Sequence, residues 1–202
     1  AKGMLSGRSV NRVDQSGTRG DATAMASFFG HAAVALTAHA TKSLAEAPAS
    51  SGKRLRYGIL AVAAATIPDL DALGHWAGVP YDSPWGHRGF THSLAFALVL
   101  GALFARFTAR KTRLTDFLFF AGVTLSHAAL DALTNGGRGV AILWPLSSKR
   151  FFLPWRPIEV SPLSIRHFFT QAGWDVVLSE MVWIGLPCLA VLALARARKS
   201  VR

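Results

Sequence analysis

The stretch VVLSEMVWIGLPCLAVLALA, residues Val176–Ala195, decides how this chain is read. It carries one acidic residue, Glu180, near its start, and Arg196, Arg198, Lys199 and Arg202 follow it directly. An apolar helix of about 20 residues matches the hydrocarbon core of a bilayer, and a basic cluster behind it marks a cytoplasmic end.

Working outward, four shorter apolar stretches precede it: roughly Met25–Ala40, Tyr57–Leu73, Leu94–Phe107 and Phe117–Leu133. His and Asp interrupt them. They fit tilted membrane helices that turn polar groups into a bundle, or buried helices of a soluble all-α protein. Composition favours the first. The 202 residues are 51% hydrophobic and only 16% charged, with a mean hydropathy of +0.32, whereas soluble domains carry about 25% charged residues. The apolar content excludes intrinsic disorder. A single cysteine, Cys188, excludes a disulfide scaffold. A net charge of +11 could signal nucleic acid, but several long apolar runs fit a small inner-membrane protein with basic loops instead. No nucleic-acid partner is expected. The expected fold is an all-α, polytopic membrane helix bundle of about five spans. Residues 1–24, polar and rich in Gly, Ser and Arg, read as a disordered leader, with Met25 as an alternative start, ahead of one integral-membrane domain over 25–202.

Cations fall in blocks. Lys42, Lys53, Arg54 and Arg56 lie between the first two stretches; Arg106, Arg110, Lys111 and Arg113 lie between the third and fourth. With five spans, these blocks and the C-terminal one share a side, which the positive-inside rule makes the cytoplasm. Trp76, Trp85, Trp144, Trp155 and Trp174 fall in the two connections on the opposite side, where Trp prefers the headgroup level. The 134–174 connection, aromatic and basic, reads as an interfacial lid.

Polar groups within apolar segments are expensive and point to function. Pro68-Asp69-Leu70-Asp71 closes the second stretch, with His75 four residues beyond Asp71. His87-Arg88-Gly89-Phe90-Thr91-His92-Ser93 opens the third, with Thr91 or Ser93 as a helix cap and His92 in the first turn. His127 and Asp131 stand at i and i+4 on the fourth, a spacing that puts two ligands on one metal. His31 lies near the start of the first stretch and Glu180 near the start of the fifth; each fits a satisfied core residue as well as a ligand. His39 and His167 read as structural or interfacial.

Alternating spans place His31, Asp69, Asp71, His92, His127, Asp131 and Glu180 at one end of the bundle. Unrelated polar residues would scatter between both ends. The set, imidazole and carboxylate without thiolate, suits one or two divalent ions, Zn first, with Mn or Fe also compatible. Mixed His/Asp sites keep an open position and make hydroxide from bound water. His31, Asp69, Asp71, His92, His127 and Asp131 are the candidate ligands; Asp69, Asp71, His87 and Arg88 are the candidate catalytic groups; His75 and Glu180 are reserves. Arg88, Arg138, Arg150 and Arg156 are candidate anion holders, since guanidinium binds phosphate bidentately. Lys149 and Arg166 border the same face, and Gly136-Gly137-Arg138-Gly139 could approach an anion.

These motifs resemble the membrane-bound metal-dependent hydrolases, also described as LexA-binding, inner-membrane-associated hydrolases. The match rests on His31, Pro68-Asp69-Leu70-Asp71, His87 to Ser93, His127-Ala-Ala-Leu-Asp131-Ala-Leu-Thr134, Trp144-Pro145-Leu146 and the Arg150–Pro162 segment, over about Met25 to Leu194. The resemblance implies a bacterial inner-membrane protein whose hydrolase activity is inferred and whose substrate is unnamed. The second family name implies a cytoplasmic binding surface, which these motifs do not supply.

The expected function is therefore metal-dependent hydrolysis of a phosphoester or related bond in a lipid or lipid-linked substrate, at the outer, periplasmic face of a multi-pass inner-membrane bundle. Membrane lipids and an anionic, lipid-like substrate are the expected partners. A metal-stapled structural or interaction protein is the rival reading. An ion or metal transporter is a further rival, disfavoured because no polar trail continues to the cytoplasmic end.

Overall fold

The computed structural model describes residues 24–25, 27–46, 49–162 and 170–201. Apart from Ala24, the expected leader lies outside the described residues, as do Arg166, His167 and Arg202.

Among the described residues seven α-helices form: α1 (Phe28–Ala45), α2 (Ser51–Thr66), α3 (Ala72–Trp76), α4 (Leu94–Ala105), α5 (Arg113–Ala132), α6 (Gln171–Glu180) and α7 (Leu186–Ser200). A 3-10 turn, Ile67–Asp71, joins α2 to α3, and a π turn, Met181–Gly185, joins α6 to α7. Two short strands, β1 (Ala24–Met25) and β2 (Ser161–Pro162), pair antiparallel.

Helix α1 packs on α2, α5 and α7, and α5 packs on α2 and α4. The shared core is Ala35, Ala61, Ala64, Ala65, Leu100, Phe104, Phe120 and Val123. Its small residues let backbones come close, which is how helices associate where lipid supplies no hydrophobic drive. Gly101 shows it most sharply: a Cβ there would lie 2.7 Å from the Ala121 backbone nitrogen. Serines start the two helices that enter the site. Ser27 caps α1 by accepting from the Gly30 N–H, and Ser93 caps α4 by accepting from the Phe96 N–H. Ser93, not Thr91, is thus the cap, and His92 sits in a 3-10 turn (Phe90–His92) just before α4.

The helical architecture is as expected; five spans are not shown. Among the described residues, only Ser51–Trp76 and Gln171–Ser200 are both long and apolar enough to cross a membrane. Helix α4, at 12 residues, reaches about 18 Å against a hydrocarbon core of about 30 Å. Helices α1 and α5 are long enough, but their inward polar groups (His31 and Lys42; Asp116, His127 and Asp131) lower their hydropathy. Along Gln171–Ser200 the apolar side chains face outward: Leu186, Leu189 and Leu194 are 57%, 63% and 61% exposed. A soluble protein rarely leaves such a surface uncovered.

Candidate metal centre

The site is built where α1 begins, α2 ends, α4 begins and α5 ends. Pro68 is the key to its local geometry. Proline has no N–H to continue an α-helix, and the chain tightens here into a 3-10 turn. At three residues per turn, Asp69 and Asp71 point about 120° apart. They therefore address opposite sides of the His92 ring. Asp69 Oδ1 lies 3.7 Å from His92 Nε2 and 3.3 Å from His127 Nε2. Asp71 Oδ2 lies 3.2 Å from His92 Nδ1.

Asp69, His92, His127 and Asp131 form one group able to hold a metal ion. His92 Nε2 is 3.1 Å from Asp131 Oδ2 and 2.9 Å from His127 Nε2. His31 stacks on His127 with ring centroids 3.7 Å apart, and its Nε2 is 3.8 Å from Asp131 Oδ1. The side chains of His31, His92, His127 and Asp131 are fully buried; that of Asp69 is 15% exposed and gives the group its opening.

The hydrogen bonds behind the ligands set their tautomers. His127 Nδ1 is 2.6 Å from the Ala65 carbonyl, which can only accept, so Nδ1 carries the proton and Nε2 offers a lone pair. His92 Nδ1 faces the Asp71 carboxylate in the same way, the carboxylate–histidine arrangement found behind bound metals. Asp71 is itself held by the Arg88 N–H at 3.2 Å, by His87 Nδ1 at 2.6 Å and by the Thr91 hydroxyl. These contacts give Asp71 the role of orienting His92. Asp71, His87 and His92 also bring ligand atoms close enough together to hold an ion of their own.

A cation fits this set. Asp69 Oδ1 and both ring nitrogens of His31 are buried without a hydrogen-bond partner, and buried polar atoms are seldom left so. Burial opposes a charge on His92, yet its contacts with Asp131, Asp69 and Asp71 reverse that and hold its pKa well above the ordinary histidine value. Three carboxylates thus converge on His92, and a cation among them would offset their charge.

The arginines behave differently from a free anion cradle. Arg88 is fully buried, with φ +61°. Its guanidinium donates to the Gly136 carbonyl at 3.0 Å, the Thr134 hydroxyl at 3.1 Å and Asp131 Oδ1 at 3.3 Å. Gly137, at φ +81°, lies so close that a Cβ would sit 2.6 Å from the guanidinium. Arg150 donates to the carbonyls of His87 and Tyr81, both at 2.8 Å, and stacks on the Tyr81 ring. Arg138 pairs with Asp82, and the exposed Arg156 lies over the Phe152 ring.

The described part of the 134–174 connection is tied to the site rather than detached from it. Val140 and Phe151 exchange backbone hydrogen bonds of 2.9 Å, Leu94 N–H donates to Ile142 and Leu153 N–H to Ala132, also at 2.9 Å. Its outer surface is apolar, with Leu146 93% and Trp155 58% exposed. His75 is exposed and joins neither group. Glu180 accepts from the Ser27 N–H at 2.6 Å and from its hydroxyl, fastening the start of α1 to the end of α6. Sequence reasoning offered Thr91 only as a helix cap and gave no role to the Ala65 carbonyl. Thr91 stood in the quoted motif; a backbone carbonyl leaves no trace in side-chain identity.

The sequence profile of the YdjM inner membrane protein family matches residues 25–200. Inner membrane protein YbcI of Escherichia coli (strain K12) is 41% identical over 133 residues, which cover 64% of this chain and 77% of that protein. No solved structure matches.

Proposed function

The chain belongs to the YdjM inner membrane protein family, and from that premise we propose that it is a metal-dependent hydrolase. Its substrate is a lipid or lipid-linked phosphoester, or a related bond, met at the membrane surface on the metal-centre end of the bundle. One observation carries the reading: His92 and His127 turn their Nε2 atoms toward Asp69 and Asp131, each orienting bond lying on the far side of its ring.

Asp69, His92, His127 and Asp131 would hold the ion, with His31 beside them; Zn is the first choice and Mn or Fe fit the same donors. The bound ion supplies an acidified water and polarises the bond to be cut. The chain's own groups do the rest. Asp71 and the Ala65 carbonyl fix the two imidazoles. Arg88 offsets the charge of Asp131, which lies 3.2 Å from its Nε. Asp69, at the opening, orients the attacking water and accepts its proton. Because Arg88 and Arg150 are engaged within the fold, the exposed Arg156 is the first cation to meet an anionic substrate, and Arg138 can join it only by leaving Asp82. Exposed Trp76, Trp85, Trp155 and Leu146 at this end support a lipid substrate, since Trp favours the headgroup level. The finer topology, five helical passes with this end outside, rests on the charge blocks at the other end.

Complete burial of four of these side chains favours a second reading, a metal that staples the bundle without catalysis. Elemental analysis of detergent-purified protein, beside Asp69→Ala and His127→Ala, comes first. One or two equivalents of metal, lost in both variants, support the centre; no uptake by the wild type on reconstitution overturns it. Chelation then separates the readings. A folded protein that loses hydrolysis of a phospholipid or polyprenyl phosphate supports the enzyme, and a protein that unfolds without having hydrolysed either supports the staple.

A further inference from the structure

The other end of the bundle holds a cavity of about 470 Å³ between the last turn of α1, the start of α2 and the turn from α4 to α5. Lys42, Lys53, Arg54 and Arg56 line it, with Tyr57, Leu60 and Phe107 as its apolar wall. The two carboxylates there are already engaged. Lys42 pairs with both Glu46 and Asp116, and Asp116 also accepts from the Tyr57 hydroxyl at 2.8 Å and the Thr112 hydroxyl at 2.7 Å. Arg56 donates once, to the Phe107 carbonyl at 2.7 Å, and is otherwise exposed. Lys53 and Arg54 are exposed and form no ion pair among the described residues. Phe107, which lines the cavity, is 52% exposed, and Leu103, four residues before it on α4, is 49% exposed.

A cation cluster opening beside an apolar stripe matches one ligand chemistry: an anionic head joined to an apolar tail. We propose that this cavity binds the headgroup of an anionic phospholipid. Its phosphate lies against Lys53, Arg54 and Arg56, and its acyl chains run along Phe107 and Leu103. Arginine forks hold phosphate oxygens in pairs, and lysine adds a point charge. The stripe distinguishes a lipid from free phosphate, which would have no use for it. The site is independent of the metal centre: Tyr57 and Asp69 stand 12 residues apart along the same helical rod, about 18 Å.

Native mass spectrometry of the full chain released from detergent tests this, with phosphatidylglycerol, phosphatidylcholine and inorganic phosphate as separate probes. Phosphatidylglycerol adducts should dominate over phosphatidylcholine. They should fall at least about fivefold in the Lys53→Gln/Arg54→Gln variant, and by less in Arg54→Gln alone. Lys149→Gln, on the metal-centre side, should retain the wild-type level. Metal content and thermal unfolding check that the variants are folded. Equal retention of the two lipids, or an unchanged double variant, overturns the proposal. Displacement of phosphatidylglycerol by inorganic phosphate also overturns it, in favour of a soluble phosphate ligand.

Discussion

The two ends of this bundle use the same residue type in opposite ways. At the metal-centre end, Arg88 is fully buried and Arg150 is half-buried, and both give their donors to the protein itself. At the basic end, Lys53 and Arg54 stand exposed, with their charge directed outward. A buried guanidinium is a structural part, because its desolvation has to be offset by fixed partners. An exposed one is a long-range attractor whose exact position matters little. Charge count alone, which is what a sequence supplies, does not distinguish these uses. Burial does.

The largest expected effect removes a buried partner. Arg88→Met leaves Asp131 without its guanidinium in a fully buried site, and breaking such a pair costs about 3–5 kcal/mol. Thermal unfolding in detergent should show a large fall in midpoint, together with loss of bound metal. A midpoint within a degree of wild type would mean that Arg88 is not structural and would blur the contrast between the ends. Next in size is Asp71→Asn, which keeps shape but weakens the hold on His92. Groups behind metal ligands contribute about 10–100-fold in affinity, so competition with a chelator should shift by that factor while one metal equivalent still binds. If Asp71→Asn abolishes binding outright, Asp71 is a ligand itself, and the second possible group of Asp71, His87 and His92 becomes the centre.

Much of the metal-centre end was legible in the sequence because membrane physics makes it so. Asp69, His92, His127 and Asp131 stand out as ionisable groups in or beside apolar runs, and alternating helices place them at a common end. The division of labour between Asp69 and Asp71 was not legible. It depends on the tightening after Pro68, which turns two near neighbours toward opposite nitrogens of one ring. The fate of Arg88 and Arg150 was hidden for a different reason. Their partners, Thr134, Gly136, Tyr81 and the His87 carbonyl, come from segments distant in sequence, and only the folded connection brings them together. The run Leu94–Phe107 read as a span; its helix has 12 residues, and the close approach of Gly101 to Ala121 depends on a partner helix that the run itself does not reveal.

Smaller effects sharpen the same contrast. Ser93→Ala removes the cap that accepts from Phe96 N–H at 3.1 Å, for about 1 kcal/mol. Because His92 immediately precedes this cap, the variant should also lose some metal affinity, which isothermal titration with the metal would report. A stability loss with unchanged affinity would show that the His92 turn is held by Asp71 and Thr91 alone.

The smallest effect belongs to the basic end. Arg54→Gln touches no partner in the core, and exposed substitutions of this kind change stability by within about 0.5 kcal/mol. The unfolding midpoint and metal content should therefore match the wild type, while phosphatidylglycerol retention falls. That dissociation is the point of the comparison: at one end a lost arginine should unfold the protein, and at the other it should only change what adheres to it. An Arg54→Gln variant as unstable as Arg88→Met would mean that the two ends are not physically distinct, and that the outward cations also hold the helices together.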